Sequence, residues 1–251
     1  ARLASPDKVS VVLTGHQGRV GEVLAAALKT APEIDYLGGI GVEDDLPHLL
    51  RQWGPQVVVD FTRPATARSI AMAAVASGAA PVVGTSGMSE STVDELESAC
   101  QQAGIGGIVA PNFAIGAVAM MWLAERVASL FTSAEVIEMH HTGKADAPSG
   151  TALATARRLS QAGNFHVPPP DQISLAGTRG GEVGGVAVHS VRMPGVVAEQ
   201  EVILGLTGQT LSIAHRTISR EAFIPGVLLA IHQVVQSPPR FWRSLDEMLG
   251  L

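Results

Sequence analysis

Short valine-rich runs alternate with longer, alanine-rich stretches along the first 110 residues. Short apolar runs of this kind predict buried strands, and the longer stretches between them predict helices. The predicted strands are Lys8–Thr14, 34–40, Val57–Phe61, Pro81–Val83 and Ile108–Ala110. The predicted helices are Glu22–Thr30, Pro64–Ser77 and Ser89–Ala103. Strands that alternate with helices predict βαβ units, and therefore a parallel sheet with right-handed crossovers.

The pattern changes after Asn112. An apolar helix, a strand and a second helix are predicted at Phe113–Phe131, Ala134–His141 and Thr151–Gln161. The Gly- and Pro-rich stretch Asn164–Gly185 predicts a loop. Three runs then alternate like antiparallel strands, at Val186–Arg192, Glu199–Leu206 and Thr210–Ile218. Phe223–Gln236 predicts a final helix that returns to the first domain. We therefore expect an α/β fold whose second domain is of the α+β type.

Composition narrows the possible functions. Of the 251 residues, 46% are hydrophobic and 16% are charged, which excludes a disordered chain. The net charge is −6 and no basic tract occurs, so we expect no nucleic-acid partner. The apolar run Gly116–Phe131 is broken by Glu125 and Arg126, so no membrane span is predicted. Residues 1–10 have no apolar signal core and Cys100 is the single cysteine, so we expect a cytoplasmic protein.

A glycine loop follows the first predicted strand and opens the first predicted helix. It reads Gly15-His16-Gln17-Gly18-Arg19-Val20-Gly21. Glycines at this spacing permit a tight turn and a close approach of the backbone to a pyrophosphate, which the helix N-terminus favours. The alternative is a tight turn in a glycine-rich protein. The position between a strand and a helix favours dinucleotide binding.

The end of the second predicted strand bears on cofactor choice. An acidic residue there normally binds the adenosine ribose hydroxyls, whereas an arginine pairs with the 2′-phosphate of NADPH. Glu43 or Asp44 could bind the ribose, or both could belong to a solvated turn, and the sequence leaves this open. Gly38–Asp45 contains no arginine or lysine. We therefore expect both NADH and NADPH to be used, and NADH at least as well as NADPH.

A dense polar segment, Glu138–Thr151, carries the strongest functional signal. His140 and His141 leave the end of a predicted strand, and Lys144 follows within four residues. Histidine and lysine together can supply a proton donor and a cation. The helix start at Ser149–Thr151 can bind a carboxylate through its backbone N–H groups and a hydroxyl. The segment predicts a site for a small anionic substrate that is protonated during the reaction.

The same residue types also occur in metal sites and in purely structural turns. Adjacent histidines can be zinc ligands, but zinc needs a third close ligand and no cysteine lies nearby, so we predict no metal. A structural role is open to each residue alone, with Ser149 as a helix cap and the charged groups in solvent. For the cluster as a whole we favour a functional site, because perturbed histidine and lysine groups concentrate at such sites.

The segment Glu138–Ala152 resembles the signature of the 4-hydroxy-tetrahydrodipicolinate reductases, formerly called dihydrodipicolinate reductases. This family belongs to the diaminopimelate route to lysine. Its histidine pair, lysine and Pro-Ser-Gly-Thr turn are highly specific, whereas the glycine loop alone is not. The resemblance extends over nearly the whole chain and includes Gly15–Gly21, Val59–Thr62, Val83–Gly87, Ala110–Phe113, Val188–Arg192 and Phe223–Val227.

The resemblance implies a homotetramer of two-domain subunits. A Rossmann-type domain, residues 1–113 completed by 222–251, would bind NADH or NADPH. An α+β domain, residues 114–221, would bind a small dicarboxylate substrate and form the tetramer. The catalytic residues would be His140 and Lys144, and the substrate-binding residues His141, Gly150 and Thr151. The cofactor-binding residues would be Gly15, His16, Gln17, Gly18, Arg19, Val20, Gly84, Thr85, Ser86, Ala110, Pro111, Asn112 and Phe113.

Some positions depart from the family pattern. Ser86 replaces a usual threonine, Gly39 and Gly41 leave the ribose position without an acid or arginine, and Glu199 receives no role.

Two rival functions fit the residues less well than a reductase does. A lyase in which Lys144 forms a Schiff base would explain the lysine but not the glycine loop. A nucleotide sensor without turnover would not need the histidines and the lysine. We therefore favour the reductase.

Overall fold

The computed structural model describes residues 8–85, 87–167 and 170–251, and the chain forms two compact units. The first unit extends to Ile115 and is completed by Arg220–Leu251, and the second is Gly116–Ser219. Three roles remain predictions: nucleotide binding by the first unit, and substrate binding and oligomerisation by the second.

A parallel sheet of six strands forms the centre of the first unit. The strands are β1 Val9–Thr14, β2 Ile34–Ile40, β3 Val57–Asp60, β4 Ala80–Val83, β5 Gly107–Val109 and β11 Phe241–Trp242. They lie in the order β11-β5-β4-β3-β1-β2, with every neighbouring pair parallel. The residues of β3, β4 and β5 are all buried, which explains their apolar runs: a covered parallel sheet has no solvent-facing side. The predicted α/β architecture is confirmed.

Helices connect these strands. They are α1 Arg19–Thr30, α2 Leu46–Trp53, α3 Pro64–Ala76, α4 Glu90–Ala103, α7 Ile224–Val234 and α8 Leu245–Leu249, with a 3₁₀ turn at Arg220–Phe223. Helix α1 begins at Arg19, earlier than the predicted start at Glu22. Helix α7 packs against β3, β4 and β5, so the last predicted helix does return to the first unit.

Helix α2, strand β11 and helix α8 were not predicted. Helix α2 is short, but it has local start and stop signals. The carboxylate of Asp45 accepts a hydrogen bond from the N–H of His48 at 3.1 Å, and Pro47 occupies the first turn. Gly54 ends the helix with φ +59°, a conformation that glycine adopts without strain. These signals were available in the sequence, and Leu46, Leu49, Leu50 and Trp53 also follow the i, i+3, i+4, i+7 spacing of an amphipathic helix. With only eight residues, the helix is shorter than the windows in which this periodicity is usually recognised.

A mixed sheet of five strands forms the second unit. Its helices are α5 Ile115–Val127, followed by a 3₁₀ turn at Ala128–Leu130, and α6 Gly150–Ala162. Its strands are β6 Ser133–His140, β7 Gly181–Val183, β8 Val186–Arg192, β9 Ala198–Leu206 and β10 Gln209–Thr217. Within the described residues, no helix of either unit has the length and apolar character needed to cross a membrane.

The pairing of this sheet differs from the prediction in one respect. The strands lie in the order β10-β9-β6-β8-β7. Strand β9 is antiparallel to β10, as expected, and also to β6, but β8 pairs with β6 in parallel and does not pair with β9. Alternation identifies a strand but carries no information on its direction, so the sequence could not show this. Strand β7 lies within the predicted loop and pairs with β8.

The core of the second unit lies between this sheet and helix α6. Alternate residues of β6 are buried, so Ala134, Val136 and Glu138 all face inward. The first two join an apolar cluster that also contains Val202 and Leu159. The third inward position, at the carboxyl end of the strand, carries an acidic residue instead. That exception marks the site described below.

Candidate active site

A tight glycine loop connects β1 to α1. The N–H of Gly18 donates to the carbonyl of Gly15 at 2.9 Å, and α1 begins at Arg19. Gly15 has φ +78°, and a Cβ atom there would lie 2.5 Å from the carbonyl oxygen of Phe61. A Cβ atom on Gly21 would overlap the carbonyl oxygen of Gly15. The loop has no room for side chains at these glycines, so a ligand can approach its backbone closely. The loop also leads directly into the start of α1, and a helix start favours phosphate.

The glycine loop lies where the order of strands reverses. Strands β2 and β3 flank β1 on opposite sides, and open α/β sheets bind ligands at the carboxyl ends of strands at such a point. Asp60 ends β3 and is 1% exposed. Its carboxylate accepts hydrogen bonds from the hydroxyls of Thr14 (2.7 Å), Thr62 (2.7 Å) and Thr85 (2.8 Å). One buried carboxylate thus connects the ends of β1, β3 and β4.

The other predicted cofactor segments follow β4 and β5 at the same edge. The N–H of Gly84 donates to the carbonyl of Asp60 at 2.9 Å, and a Cβ atom on Gly84 would overlap the ring of Phe61. That ring packs against Phe113 with centroids 5.7 Å apart. Ser86 lies outside the described residues. The structure brings to one edge of the sheet the predicted residues 15–20, 84–85 and 110–113.

His16 extends from the glycine loop to the end of β2. A Cβ atom on Gly39 would overlap the imidazole of His16, which therefore occupies the space of a side chain there. The Nδ1 atom of His16 is buried and has no hydrogen-bond partner in the part of the chain that the structure describes. The carboxylate of Asp44 accepts from the N–H of Gly41 at 2.7 Å, and Asp45 caps α2. The contact of Asp44 and the exposed turn position of Glu43 favour the turn interpretation for these two acids.

The carboxyl end of β6 carries a buried ionic network around Glu138, whose side chain is 0% exposed. Its Oε2 accepts from Nδ1 of His140 at 2.6 Å and from Nη1 of Arg192 at 2.8 Å. Its Oε1 accepts from Nη2 of Arg192 at 2.7 Å and from the N–H of Ser149 at 3.2 Å. The parallel register of β6 and β8 produces this pairing, because it places His140 opposite Arg192.

Burial and neighbouring charges set the protonation of this network. Burial alone would raise the pKa of Glu138, but hydrogen bonds from Arg192, Ser190 and His140 hold it below its usual value. Burial lowers the pKa of His140; contact with Glu138 offsets this only in part, and the charges of Lys144 and Arg192 lower it further. At neutral pH Glu138 is therefore ionised and His140 neutral. An ionised carboxylate only accepts hydrogen bonds, so Nδ1 of His140 carries the proton.

Lys144 lies on the loop between β6 and α6. Its Nζ donates to Oδ1 of Asp146 at 2.6 Å, and its backbone N–H donates to the carbonyl of His141 at 3.1 Å. Nη2 of Arg192 also donates to the carbonyl of Asp146, at 2.7 Å. Burial would raise the pKa of Asp146, but its bond to Lys144 lowers it. The predicted residues His140, His141 and Lys144 thus lie on one short segment that Arg192 anchors to β8.

The start of α6 borders the same network. The hydroxyl of Ser149 accepts from the N–H of Ala152 at 3.1 Å and caps the helix. Gly150 and Thr151 are the first helical residues, at positions whose N–H groups have no intrahelical acceptor. Gly150 is exposed, and a Cβ atom on it would meet no atom within 4 Å. Open space beside a helix start suits a carboxylate ligand.

Comparison with known proteins assigns the chain to a family. The model described as dihydrodipicolinate reductase, N-terminus, matches residues 9–113, and the model described as dihydrodipicolinate reductase, C-terminus, matches residues 116–249. The chain belongs to the dihydrodipicolinate reductase family. The resemblance seen in the sequence is confirmed.

Individual members of the dihydrodipicolinate reductase family match nearly the whole chain. A 4-hydroxy-tetrahydrodipicolinate reductase of Moorella thermoacetica is 43% identical, over 91% of this chain and 93% of the relative. One of Mycolicibacterium vanbaalenii is 42% identical, over 91% of this chain and 94% of the relative. The structure of dipicolinate-bound dihydrodipicolinate reductase from Paenisporosarcina sp. TG-14 has a TM-score of 0.82 and 29% identity, over 95% of this chain and 99% of that one.

Sequence reasoning gave no role to Glu138, Arg192 or Asp60. A polar residue at an inward position of an otherwise apolar strand was the available signal for the first of them. The partnership with Arg192 could not be found, because it depends on the unpredicted parallel pairing of β6 and β8. Glu199, also without a predicted role, lies 3.2 Å from Arg216 on β10. In the described ranges, no three His, Cys, Asp or Glu side chains are grouped to hold a metal.

The buried ion pair predicts a pH-dependent loss of stability in Arg192→Met. At pH 7 the free energy of unfolding should fall by about 3–5 kcal/mol, because Glu138 is left charged and buried without its partner. The low pKa of Glu138 in the wild type stabilises the fold above its ordinary pKa of 4.5, and this contribution disappears as pH falls through the lower folded value. In the variant, burial raises that pKa, so the deficit should shrink at pH 5. Urea unfolding at both pH values measures the change.

Arg243→Met is the matched control. Arg243 pairs with Asp94 and Glu97 on the surface, where its side chain is 47% exposed. Removing an exposed ion pair costs about 0–1 kcal/mol. Equal losses in the two variants would show that the Glu138 network does not stabilise the fold as described.

Proposed function

We propose that this chain is a 4-hydroxy-tetrahydrodipicolinate reductase, which reduces its substrate to tetrahydrodipicolinate in the diaminopimelate route to lysine. The observation that carries the proposal is the His140–Glu138 pair beside the helix start at Gly150, in a chain of the dihydrodipicolinate reductase family. A proton donor next to a carboxylate-binding turn suits a dicarboxylate that gains a hydride and a proton. Relatives with this activity in their names reach 43% identity.

The glycine loop and the adjoining edge of the sheet fit a nicotinamide dinucleotide. The loop has no room for a side chain at Gly15 or Gly21, α1 begins directly beside it, and a buried nitrogen of His16 has no partner within the described ranges. Residues 15–20 hold the pyrophosphate, and residues 84–85 and 110–113 line the nicotinamide. The bound cofactor, NADH or NADPH, supplies the hydride.

The second unit binds the substrate through its two carboxylates. The N–H groups at Gly150 and Thr151, the hydroxyl of Thr151 and the imidazole of His141 are the binding groups. Lys144 adds a positive charge within the same segment. The solved relative that holds dipicolinate, a planar dicarboxylate, supports this class of ligand. Charge-assisted hydrogen bonds of this kind orient a carboxylate as well as bind it.

His140 is the proton donor, and Lys144 is a second donor. The 4-hydroxyl group leaves as water before or during the reduction, and this loss creates the ring double bond conjugated with the imine. Hydride addition to a carbon of that double bond leaves an electron-rich centre that needs a proton. His140 is neutral in the free protein, with its proton on Nδ1, so it first takes a proton on Nε2. Two substrate carboxylates favour that step, because nearby negative charge raises the pKa of an imidazole. The protein's part is thus to bind the dicarboxylate, hold the ring in place and deliver the proton.

We further propose that four chains assemble through the sheet of the second unit. Strand β10 is at an edge of that sheet, and residues 209–214 are largely exposed, including Leu211. An edge strand offers N–H and carbonyl groups to another copy of the chain. Light scattering should give four times the subunit mass, and Leu211→Lys should lower it. A monomer in the wild type would contradict this assembly.

Turnover with freshly generated substrate tests the function. The purified chain should oxidise NADH or NADPH in a coupled assay in which a preceding synthase supplies the unstable substrate. His140→Gln and Lys144→Ala should each lower kcat by about 10²–10⁴-fold, the usual contribution of a proton donor. Their affinity for the cofactor should not change, because both residues lie outside the glycine loop.

Two results would contradict this assignment. Wild-type kcat in either variant would remove its residue from the proton transfer. Irreversible attachment of substrate to Lys144 on addition of borohydride, without cofactor oxidation, would support the rival lyase.

Cofactor choice should follow from the absence of a lysine or arginine near the end of β2. The segment Gly38–Asp45 offers no such cation to a 2′-phosphate, and the exposed Glu43 repels it. This repulsion is screened by salt, so both cofactors should be used and NADH at least as well as NADPH. Steady-state kinetics with both cofactors at one salt concentration measures the ratio of kcat/KM values. A large preference for NADPH would contradict the prediction, and its loss in His16→Ala would assign the phosphate contact to His16.

A further inference from the structure

We propose that Glu138 is a positioning residue for the reaction: its buried carboxylate fixes the imidazole of His140 with the proton on Nδ1 and holds that ring in register with the start of α6. The inference rests on the proposed function, in which Nε2 of His140 exchanges a proton with the substrate. Glu138 is 0% exposed and acts through His140.

The hydrogen bonds of the carboxylate determine the form of the His140 ring. Arg192 binds both oxygens, at 2.7 and 2.8 Å, and therefore fixes the plane of the carboxylate. Oε2 also accepts a hydrogen bond from Nδ1 of His140, at 2.6 Å. A carboxylate held in this way has no donor to offer, so only the Nδ1–H form of the imidazole satisfies the contact. The other nitrogen, Nε2, then has the lone pair that a proton carrier needs.

The same carboxylate links the proton carrier to the anion-binding turn. Its other oxygen accepts from the N–H of Ser149, the residue that caps α6. Arg192 reaches the carbonyl of Asp146 as well. The ring of His140 and the start of α6 are therefore both fixed to one buried group. Rates depend steeply on the placement of reacting groups, so this common anchor matters for catalysis.

The charges around His140 make Glu138 the group that favours its protonated form. The charged groups that act on the ring are Glu138, Lys144 and Arg192, and Asp146 partners Lys144. Of the three, Glu138 alone carries negative charge. In a turnover, Nε2 takes a proton from solvent, and the Nε2–H bond breaks as the new C–H bond forms on the substrate. With the hydride from the cofactor, this completes a two-electron reduction and returns His140 to its starting form.

Glu138→Gln tests the proposal because it keeps the shape of the side chain and reverses its hydrogen bond to His140. Nη2 of Arg192 and the N–H of Ser149 still donate to the amide oxygen, at the place of Oε1. The amide NH₂ group takes the place of Oε2 and faces Nδ1 of His140, while Nη1 of Arg192 loses that acceptor and keeps the carbonyl of Val191. The ring should then shift to the Nε2–H form, which has no lone pair at the working nitrogen. We expect kcat to fall by about 10²–10⁴-fold with little change in KM. Nitrogen-15 NMR of labelled histidine, assigned with His140→Gln, should show the proton on Nδ1 in the wild type and on Nε2 in the variant.

A double-mutant cycle separates positioning from an independent role. If Glu138 acts through His140, adding Glu138→Gln to His140→Gln should lower kcat no further. A further fall in kcat, as large as the one that Glu138→Gln causes alone, would overturn the proposal. An Nε2–H ring in the wild type would also overturn it, and that measurement does not depend on the folding of a Glu138 variant.

The chain contains a matched control on the same strand. Glu135 lies 2.9 Å from Nε2 of His189 and 2.8 Å from Nη2 of Arg179, so it is another carboxylate with a histidine and an arginine partner. Glu135→Gln should leave kcat and the NMR signals of His140 unchanged. Because the NMR experiment uses the ligand-free protein, it distinguishes the two failures. A wild type without turnover but with the expected ring form would contradict the proposed function and not the positioning of His140.

Discussion

A carboxylate that is fully buried has to be surrounded by donors, and this requirement organises the second unit. Glu138 occupies an inward position of β6 where an apolar residue would otherwise pack. An unpaired charge there would cost several kcal/mol, so β8 has to bring Arg192 beside it and the following loop has to return the N–H of Ser149. These two contacts determine where α6 begins and where the loop with Lys144 lies. The predicted catalytic residues therefore owe their places to a residue for which the sequence indicated no role.

The first unit uses a buried carboxylate in a similar place but with different partners. Asp60 also ends a strand, and it accepts hydrogen bonds from three neutral hydroxyls. The bonds connect the loops at the carboxyl edge of the sheet without placing a cation there. In the proposed function, backbone N–H groups at the start of α1 therefore bind the anionic cofactor at this edge. Glycines at 15 and 21 suit that arrangement, because any side chain would overlap the backbone of the loop.

The sequence predicted the elements whose residues are uniform in character and missed those that depend on partners. Apolar runs located β1, β3, β4 and β5, and the glycine loop marked the start of α1 to within one turn. The histidine pair and the turn at Ser149 marked the site. The direction of β8 depends on which strand it joins, and alternation does not encode that choice. The imidazole of His16 fills the space beside Gly39 that a side chain there would occupy. These two residues belong to the glycine loop and to β2, so only the folded chain reveals their contact.

The two ion pairs near His140 differ in burial, and this difference fits the two roles proposed for them. In the free protein Arg192 is matched by Glu138 and Lys144 by Asp146, while His140 is neutral, so the formal charges of the network cancel. A dicarboxylate therefore needs a cation that can change partners. The side chain of Asp146 is 57% exposed and that of Lys144 is 23% exposed, and an ion pair open to solvent is worth little. In the proposed function, Lys144 therefore turns from Asp146 to a substrate carboxylate at small cost. Glu138 is 0% exposed, and releasing Arg192 from it would leave a buried charge. In the proposed function, the buried pair therefore keeps the geometry of His140 while the more exposed pair responds to the ligand.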